Sequence, residues 1–237
     1  MPKFSIILPT YNRATTLGRA INSILTQTFE DWQLIVIDDH SLDNTDEIMA
    51  FYSQDDRIEY LKQEEHLERV KAINRGFTHA TGEWQCWLDS DDAYVPTYLE
   101  YINSAIEKYG DFDVCNFGAI VIHDDYHVTF RETFRPERLE EGHVPFRSGG
   151  IGAGSFVYKS KLIDEVGIFP AVNDPYQFAV EAKKEMPEIL DFFGDGELGN
   201  PWGQDWYLFY KLTRKHWSRP LDTALYIQYG KYEKNWP

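Results

Sequence analysis

Cysteine is nearly absent: the 237 residues contain two, Cys86 and Cys115. Each falls in an apolar run that reads as a core strand, so buried free thiols are expected rather than a disulfide framework. No apolar stretch reaches the roughly 18 residues that a membrane-spanning helix needs, and no N-terminal targeting pattern is visible. A cytoplasmic chain is expected, with at most peripheral contact at the inner face of a membrane. Positive charge is also scarce, with 23 Lys and Arg against 39 Asp and Glu and a formal net charge of -16. The only basic clusters, 211–219 and 231–234, could graze an anionic lipid surface. No nucleic-acid partner is expected, because such affinity comes from Lys and Arg neutralising phosphates. Glycine-rich phosphate loops are missing too. The first apolar run ends in Pro9-Thr10-Tyr11-Asn12-Arg13, where a dinucleotide fold wants G-x-G-x-x-G and a P-loop wants G-x-x-x-x-G-K-[ST].

What is present is an alternating rhythm. Runs at 4–8, 32–37, 58–61 and 84–88 read as strands. Between them Leu17, Ala20, Ile21, Ile24 and Leu25 recur at helical spacing, and 43–52 and 67–80 continue the helical pattern. Parallel strands with right-handed crossovers follow. Pro96 opens a helix to about residue 109, and 114–122 reads as a longer strand with an antiparallel return over 123–131. Further strands are expected at 155–159 and 225–229, with helices at 177–193 and 205–215. The length suits one large α/β domain.

Chemistry concentrates at strand ends. Asp89, Ser90, Asp91 and Asp92 follow the run Trp84-Gln85-Cys86-Trp87-Leu88, and open α/β sheets bind ligands at that carboxyl edge. Close carboxylates there repel by roughly 4 kcal/mol per pair at about 4 Å under an effective dielectric near 20. A hard cation, Mg²⁺ or Mn²⁺, relieves that repulsion, and such ions keep waters and complete their shell with substrate phosphates. Tyr11 offers a ring to a base and Arg13 a guanidinium to a phosphate. Asp38 and Asp39, ending the second strand, can accept a uracil imide or ribose hydroxyls, or else lie solvated, and Asp43 reads as a helix cap.

Taken together, Pro9-Thr10-Tyr11-Asn12-Arg13, Val36-Ile37-Asp38-Asp39-His40-Ser41-Leu42-Asp43, Ala72-Ile73-Asn74-Arg75-Gly76, Ala80-Thr81-Gly82-Glu83-Trp84 and Leu88-Asp89-Ser90-Asp91-Asp92 resemble, in order and spacing, the family 2 glycosyltransferases of the GT-A fold. The resemblance is close over about the first 110 residues. Gly154-Ser155-Phe156-Val157-Tyr158-Lys159, Glu165-Val166-Gly167-Ile168-Phe169 and Gly203-Gln204-Asp205-Trp206-Tyr207-Leu208 extend it. It implies a Rossmann-like, mostly parallel sheet flanked by helices, with a smaller antiparallel acceptor-side portion. One domain would then hold a nucleotide-sugar half at 1–110 and an acceptor half at 111–237, the latter with an insertion at about 174–203.

The activity implied is inverting transfer of a sugar from a nucleoside diphosphate donor, a UDP-sugar by the placement of Asp39, to a hydroxyl of a saccharide or lipid-linked acceptor. Donor contacts fall on Pro9, Thr10, Tyr11, Arg13, Asp39, Asp89 and Ser90. Asp91, with Asp89, would hold Mn²⁺ or Mg²⁺. Asp205 would be the general base, with Trp202, Gln204, Trp206 and more remotely Trp217 facing the acceptor. Three departures stand out: His40 where relatives usually carry Gly, Ile73 where they often carry Arg, and Gln204 where they usually carry Glu. Arg69, Lys71 or Arg75 would supply the missing cation. The competing readings are a catalytically silent carbohydrate-binding protein of the same fold and a haloacid-dehalogenase-type phosphatase with Asp89 as nucleophile. The latter suits the chain poorly, since its Asp normally follows the first strand.

Overall fold

The computed structural model describes residues 1–131, 153–167, 169, 181, 184, 203–213, 216 and 218–230. Four strands, β1 (Phe4–Thr10), β2 (Trp32–Asp38), β3 (Ile58–Lys62) and β4 (Trp84–Trp87), run parallel in the order β3-β2-β1-β4. Helices α1 (Ala14–Leu25), α2 (Thr45–Tyr52) and α3 (Arg69–His79) make the crossovers. The second half mixes strand directions. After β5 (Ala93–Tyr94) and α4 (Tyr98–Tyr109), β6 (Val114–His123) forms a hairpin with β7 (Val128–Arg131). Strand β8 (Phe156–Lys159) then inserts antiparallel between β4 and β6. After α5 (Lys161–Val166) and α6 (Gly203–Thr213), β9 (Ser218–Gly230) lies along β6 and takes up β5. One nine-stranded sheet results among the described residues.

The central strands read as continuous apolar runs because both faces are covered. Phe4, Ile6 and Leu8 of β1 pack with Leu17, Ala20, Ile21 and Ile24 of α1, while Ile7 turns the other way toward Val70, Ile73 and Phe77 of α3. The sequence predicts that Pro9 closes the first strand at Leu8, but β1 continues through Pro9 to Thr10. The partner of Pro9 is Ile37 of β2, and pairing to β4 ends at Ile7, so the missing N–H faces a side with no strand. Gly76 lets α3 lie against the sheet, since a Cβ there would sit 2.5 Å from Ile7 Cγ2. Asn74 fastens that helix to the far segment: its Nδ2 donates to Phe169 O (2.9 Å) and its Oδ1 accepts from Phe169 N (3.0 Å).

Several boundaries differ from the sequence expectation. Strand β9 begins at Ser218 rather than 225, because Arg219, Pro220, Asp222 and Thr223 break the apolar pattern where a bulge shifts its register on β6. Helix α4 begins at Tyr98, after Pro96, and α6 spans Gly203–Thr213 rather than 205–215. Of the helix expected at 177–193 only Glu181 and Lys184 are among the described residues, both helical; the glycine-rich end of the 174–203 insertion and Trp217 lie outside them. Cys86 and Cys115 are buried free thiols, with burial pushing the Cys86 thiol up to about 12. Among the described residues no helix is long and apolar enough to cross a membrane.

Candidate functional site

A cavity of about 410 Å³ opens at the carboxyl ends of β1, β2 and β4. That edge is where the strand order reverses between β1 and β4, the position at which open α/β sheets leave a crevice. Strand β1 contributes Pro9, Thr10, Tyr11 and Arg13, β2 contributes Asp39, and β4 contributes Asp89, Ser90 and Asp91. His66, Glu68, Arg69 and Ala72 come from the β3–α3 connection and the start of α3.

The walls are stitched from turn to turn. Asn12 N donates to Ser41 Oγ (2.9 Å), and Asn12 Oδ1 accepts from Leu42 N (2.8 Å). Asp43 accepts from Ala14 N (2.9 Å) at the start of α1 and from Thr45 Oγ1 (2.6 Å) at the start of α2, so the expected cap serves two helices. Asn12, His40 and Glu68 all have positive φ, at 51°, 68° and 73°. Three left-handed non-glycine residues at one rim mark a backbone held in shape by its surroundings.

At one end of the cavity Tyr11 is 39% exposed and Asp39 is buried at 1%. Asp39 Oδ1 accepts from Leu67 N (2.8 Å) and from Gln63 Nε2. Its Oδ2 and the hydroxyl of Thr10 are buried without a hydrogen-bond partner among the described residues. His66 Nδ1 lies at ion-pair distance from Oδ2, 2.8 Å, and makes its hydrogen bond with the Asp39 carbonyl at 3.2 Å. Two buried polar groups left unmatched beside a cavity are costly unless a ligand completes them. Asp38, by contrast, is 0% exposed and structural, accepting from Ser41 N (2.8 Å) and Tyr60 OH (2.7 Å). It is not the solvated group that was one alternative for it.

At the other end the acidic turn meets arginines. Arg69 Nη2 donates to Asp89 Oδ1 (2.5 Å), which also accepts from Trp87 Nε1 (3.0 Å). Arg13 Nη1 lies 3.4 Å from Asp91 Oδ2. Arg19 holds the Asp91 carbonyl at 2.5 Å while its guanidinium covers Tyr229 at 3.7 Å. Burial first, and the Asp89 charge second, push the Asp91 carboxyl above its usual range. The same two causes push Asp92 further, against the Tyr226 hydroxyl that bonds to it. With Tyr229 N also donating to it (2.9 Å), Asp92 ties the acidic turn to β9. Among the described residues no three His, Cys, Asp or Glu side chains are placed to share a metal ion. The cavity offers two carboxylates, Asp89 and Asp91, the second buried unfavourably beside the charge of the first, which suits a hard cation completed by water and phosphate oxygens.

Pro9, Thr10, Tyr11, Arg13, Asp39, Arg69, Asp89, Ser90 and Asp91 thus gather around one cavity. Lys71 does not line it, and Arg75 turns to Lys62 O (3.1 Å). Asp205 lies in the first turn of α6. Its side chain, those of Gln204 and Trp206, and all of Trp202 are outside the described residues. His66 and Glu68 were not foreseen. The hint was the acidic and polar run Gln63-Glu64-Glu65-His66 directly after β3, a third loop at the same edge.

The sequence profile described as glycosyl transferase family 2 matches residues 5–166. An uncharacterized glycosyltransferase of Rickettsia prowazekii is 31% identical over 252 residues, covering 99% of this chain and 70% of that protein. The Escherichia coli UDP-Glc:alpha-D-GlcNAc-diphosphoundecaprenol beta-1,3-glucosyltransferase WfgD is 37% identical over 123 residues, 49% of this chain and 48% of that protein. Against two other rickettsial relatives the chain spans only 29% and 28% of their length. Among solved structures, S. aureus TarS 1-349 in complex with UDP-GlcNAc superimposes with a TM-score of 0.70 at 20% identity, covering 98% of this chain and 60% of that one. At that identity the likeness speaks for the fold.

Proposed function

Because this chain belongs to glycosyltransferase family 2 and has the GT-A fold, we propose that it transfers a sugar, with inversion, from a UDP-sugar to a hydroxyl of a saccharide or lipid-linked acceptor. The observation that carries the donor assignment is the pair of unmatched buried groups, Asp39 Oδ2 and Thr10 Oγ1, at the Tyr11 end of a cavity whose other end holds Arg13, Arg69, Asp89 and Asp91. A base stacked on Tyr11 can donate an imide N–H to Asp39, and the diphosphate then reaches toward the arginines. WfgD, whose name specifies a UDP-glucose donor and an undecaprenol-linked acceptor, supports the same direction. An acceptor of that kind would bring the protein to the inner face of a membrane.

Asp89 and Asp91 would hold Mn²⁺ or Mg²⁺, with Ser90 between them. When bound, such an ion neutralises charge on the departing diphosphate. The chain's own residues do the rest. Arg69 and Arg13 sit on the carboxylates now and are within the same cavity to meet phosphate oxygens. Trp87 Nε1 keeps Asp89 in place, and Arg19 with Asp92 fixes the turn that carries Asp91. Asp205 would take the acceptor proton as the hydroxyl attacks opposite the diphosphate, and acceptor contact is assigned to Trp202, Gln204 and Trp206 by the family resemblance alone. Calorimetry with UDP tests the assignment: binding should require Mn²⁺ or Mg²⁺, and UDP affinity unchanged in EDTA would refute the metal-bridged donor site.

A further inference from the structure

The slot assigned to the base already contains an aromatic ring. The His66 imidazole stacks on Tyr11 with ring centroids 4.1 Å apart and planes 18° from parallel. Its Nδ1 faces Asp39, 2.8 Å from Oδ2 and 3.2 Å from the carbonyl oxygen, and its Nε2 lies 3.3 Å from Glu68 Oε1 on the other side. A flat heterocycle on Tyr11 with a ring nitrogen turned to Asp39 reproduces the contacts a pyrimidine would make there. Both cannot be present. A base sandwiched between the two rings needs them about 7 Å apart, two layers of van der Waals contact.

We propose that His66 is a built-in occupant of the nucleobase subsite, which must swing out before a nucleotide binds and so sets its apparent affinity. This rests on the reading that the cavity takes a nucleoside diphosphate. Three features fit displacement rather than a fixed wall. The His66 side chain is 37% exposed, so it can leave into solvent without opening the core. It belongs to a connection between β3 and α3 rather than to either element. Asp39 Oδ2, though close to the ring, is still without a hydrogen-bond partner among the described residues, so a base N–H aimed at it makes a bond that His66 does not.

A protein whose competent form is a minor population binds more weakly by that fraction, so removing the occupant should tighten binding by about tenfold. Calorimetry of UDP with Mn²⁺ on wild type and His66→Ala reads this directly. Tighter binding by the variant supports displacement. Equal binding, or weaker binding as a lost wall would give, overturns it. A second measurement needs no variant: the His66 ring protons should show the upfield shift of a ring stacked on tyrosine in the free protein and lose it on saturation with UDP. A shift retained in the UDP complex overturns the proposal while leaving the donor assignment standing. No UDP binding by either protein overturns the donor assignment, and this proposal with it.

Discussion

Replacing Arg69 with Met separates two roles that the same contact could serve. The Arg69 guanidinium bonds Asp89 at 2.5 Å with side-chain exposures of 29% and 20%, and it lies 5.2 Å from the centre of the Trp87 ring. Methionine keeps an apolar stem beside that ring and removes only the charge. In the free protein the change leaves Asp89 uncompensated beside Asp91. With partial exposure screening the ion pair, that is worth about 1 kcal/mol, so Mn²⁺ alone should bind about fivefold more tightly. If Arg69 moves to a phosphate when the donor enters, the variant loses a hydrogen bond to a charged group, about 1.5 to 3 kcal/mol. UDP at saturating Mn²⁺ should then bind about 10- to 150-fold more weakly. The two effects have opposite signs. A residue that only buttresses Asp89 moves metal and nucleotide affinity the same way or not at all. Titration calorimetry of Mn²⁺, and then of UDP with Mn²⁺, measures both, and thermal melting checks the fold. UDP affinity within twofold of wild type, or a fall in Mn²⁺ affinity alongside UDP, would refute the reasoning.

Asp205→Asn should reduce transfer by roughly 10²- to 10⁴-fold if the carboxylate is the base. Melting temperature and Mn²⁺-dependent UDP binding should stay near wild type, because Asn differs little from Asp in the first turn of α6 except in basicity; near-wild-type transfer to the true acceptor removes Asp205 from the mechanism. Asp92→Asn addresses pH. The folded carboxyl sits above its unfolded value through burial and the Asp89 charge, so between the two values the folded state holds the extra proton and stability falls as pH rises from about 4. Asn removes that slope while its amide oxygen can still accept from Tyr229 N. Urea unfolding should therefore show the variant gaining on wild type between acid and neutral pH, and a wild-type advantage that grows with pH would contradict it.

The parallel half of the fold was legible because its strands are buried on both faces, so 4–8, 32–37 and 84–88 stand out as apolar runs bounded by turn residues. The site was legible for the same reason. In a parallel sheet every strand-to-helix turn returns to one edge, so residues after β1, β2 and β4 must meet there. Which of two neighbouring carboxylates faces the cavity was not legible. Asp38 and Asp39 look alike in sequence, yet successive residues leave a strand on opposite sides, and the difference shows only in Tyr60 and Ser41 holding the first. His66 stayed hidden because a connection without periodicity gives no direction to any side chain. The first half of β9 stayed hidden because Arg219, Pro220 and Asp222 read as loop.

Two of the departures noted in the sequence, His40 and Ile73, have defined surroundings in the structure. His40 replaces the expected glycine yet keeps a φ of 68°, a conformation that costs a residue with a Cβ about 1 to 2 kcal/mol. Its ring offsets part of that through Nδ1 and the Gln63 carbonyl at 3.2 Å, in the loop that also carries the Gln63 bond to Asp39. Ile73, where a cation is expected, is 0% exposed and packed with Ile7 and Ile37. A guanidinium at that site would be buried in the apolar layer. Arg69 is four residues earlier, so it lies on the same face one turn nearer the helix start, and that start is the end of α3 that meets the cavity. Arg69 at that place puts a cation on the acidic turn, and Ile73 leaves the layer between α3 and the sheet apolar. The loss of donor binding expected in Arg69→Met should therefore exceed that in Lys71→Met, whose side chain does not line the cavity.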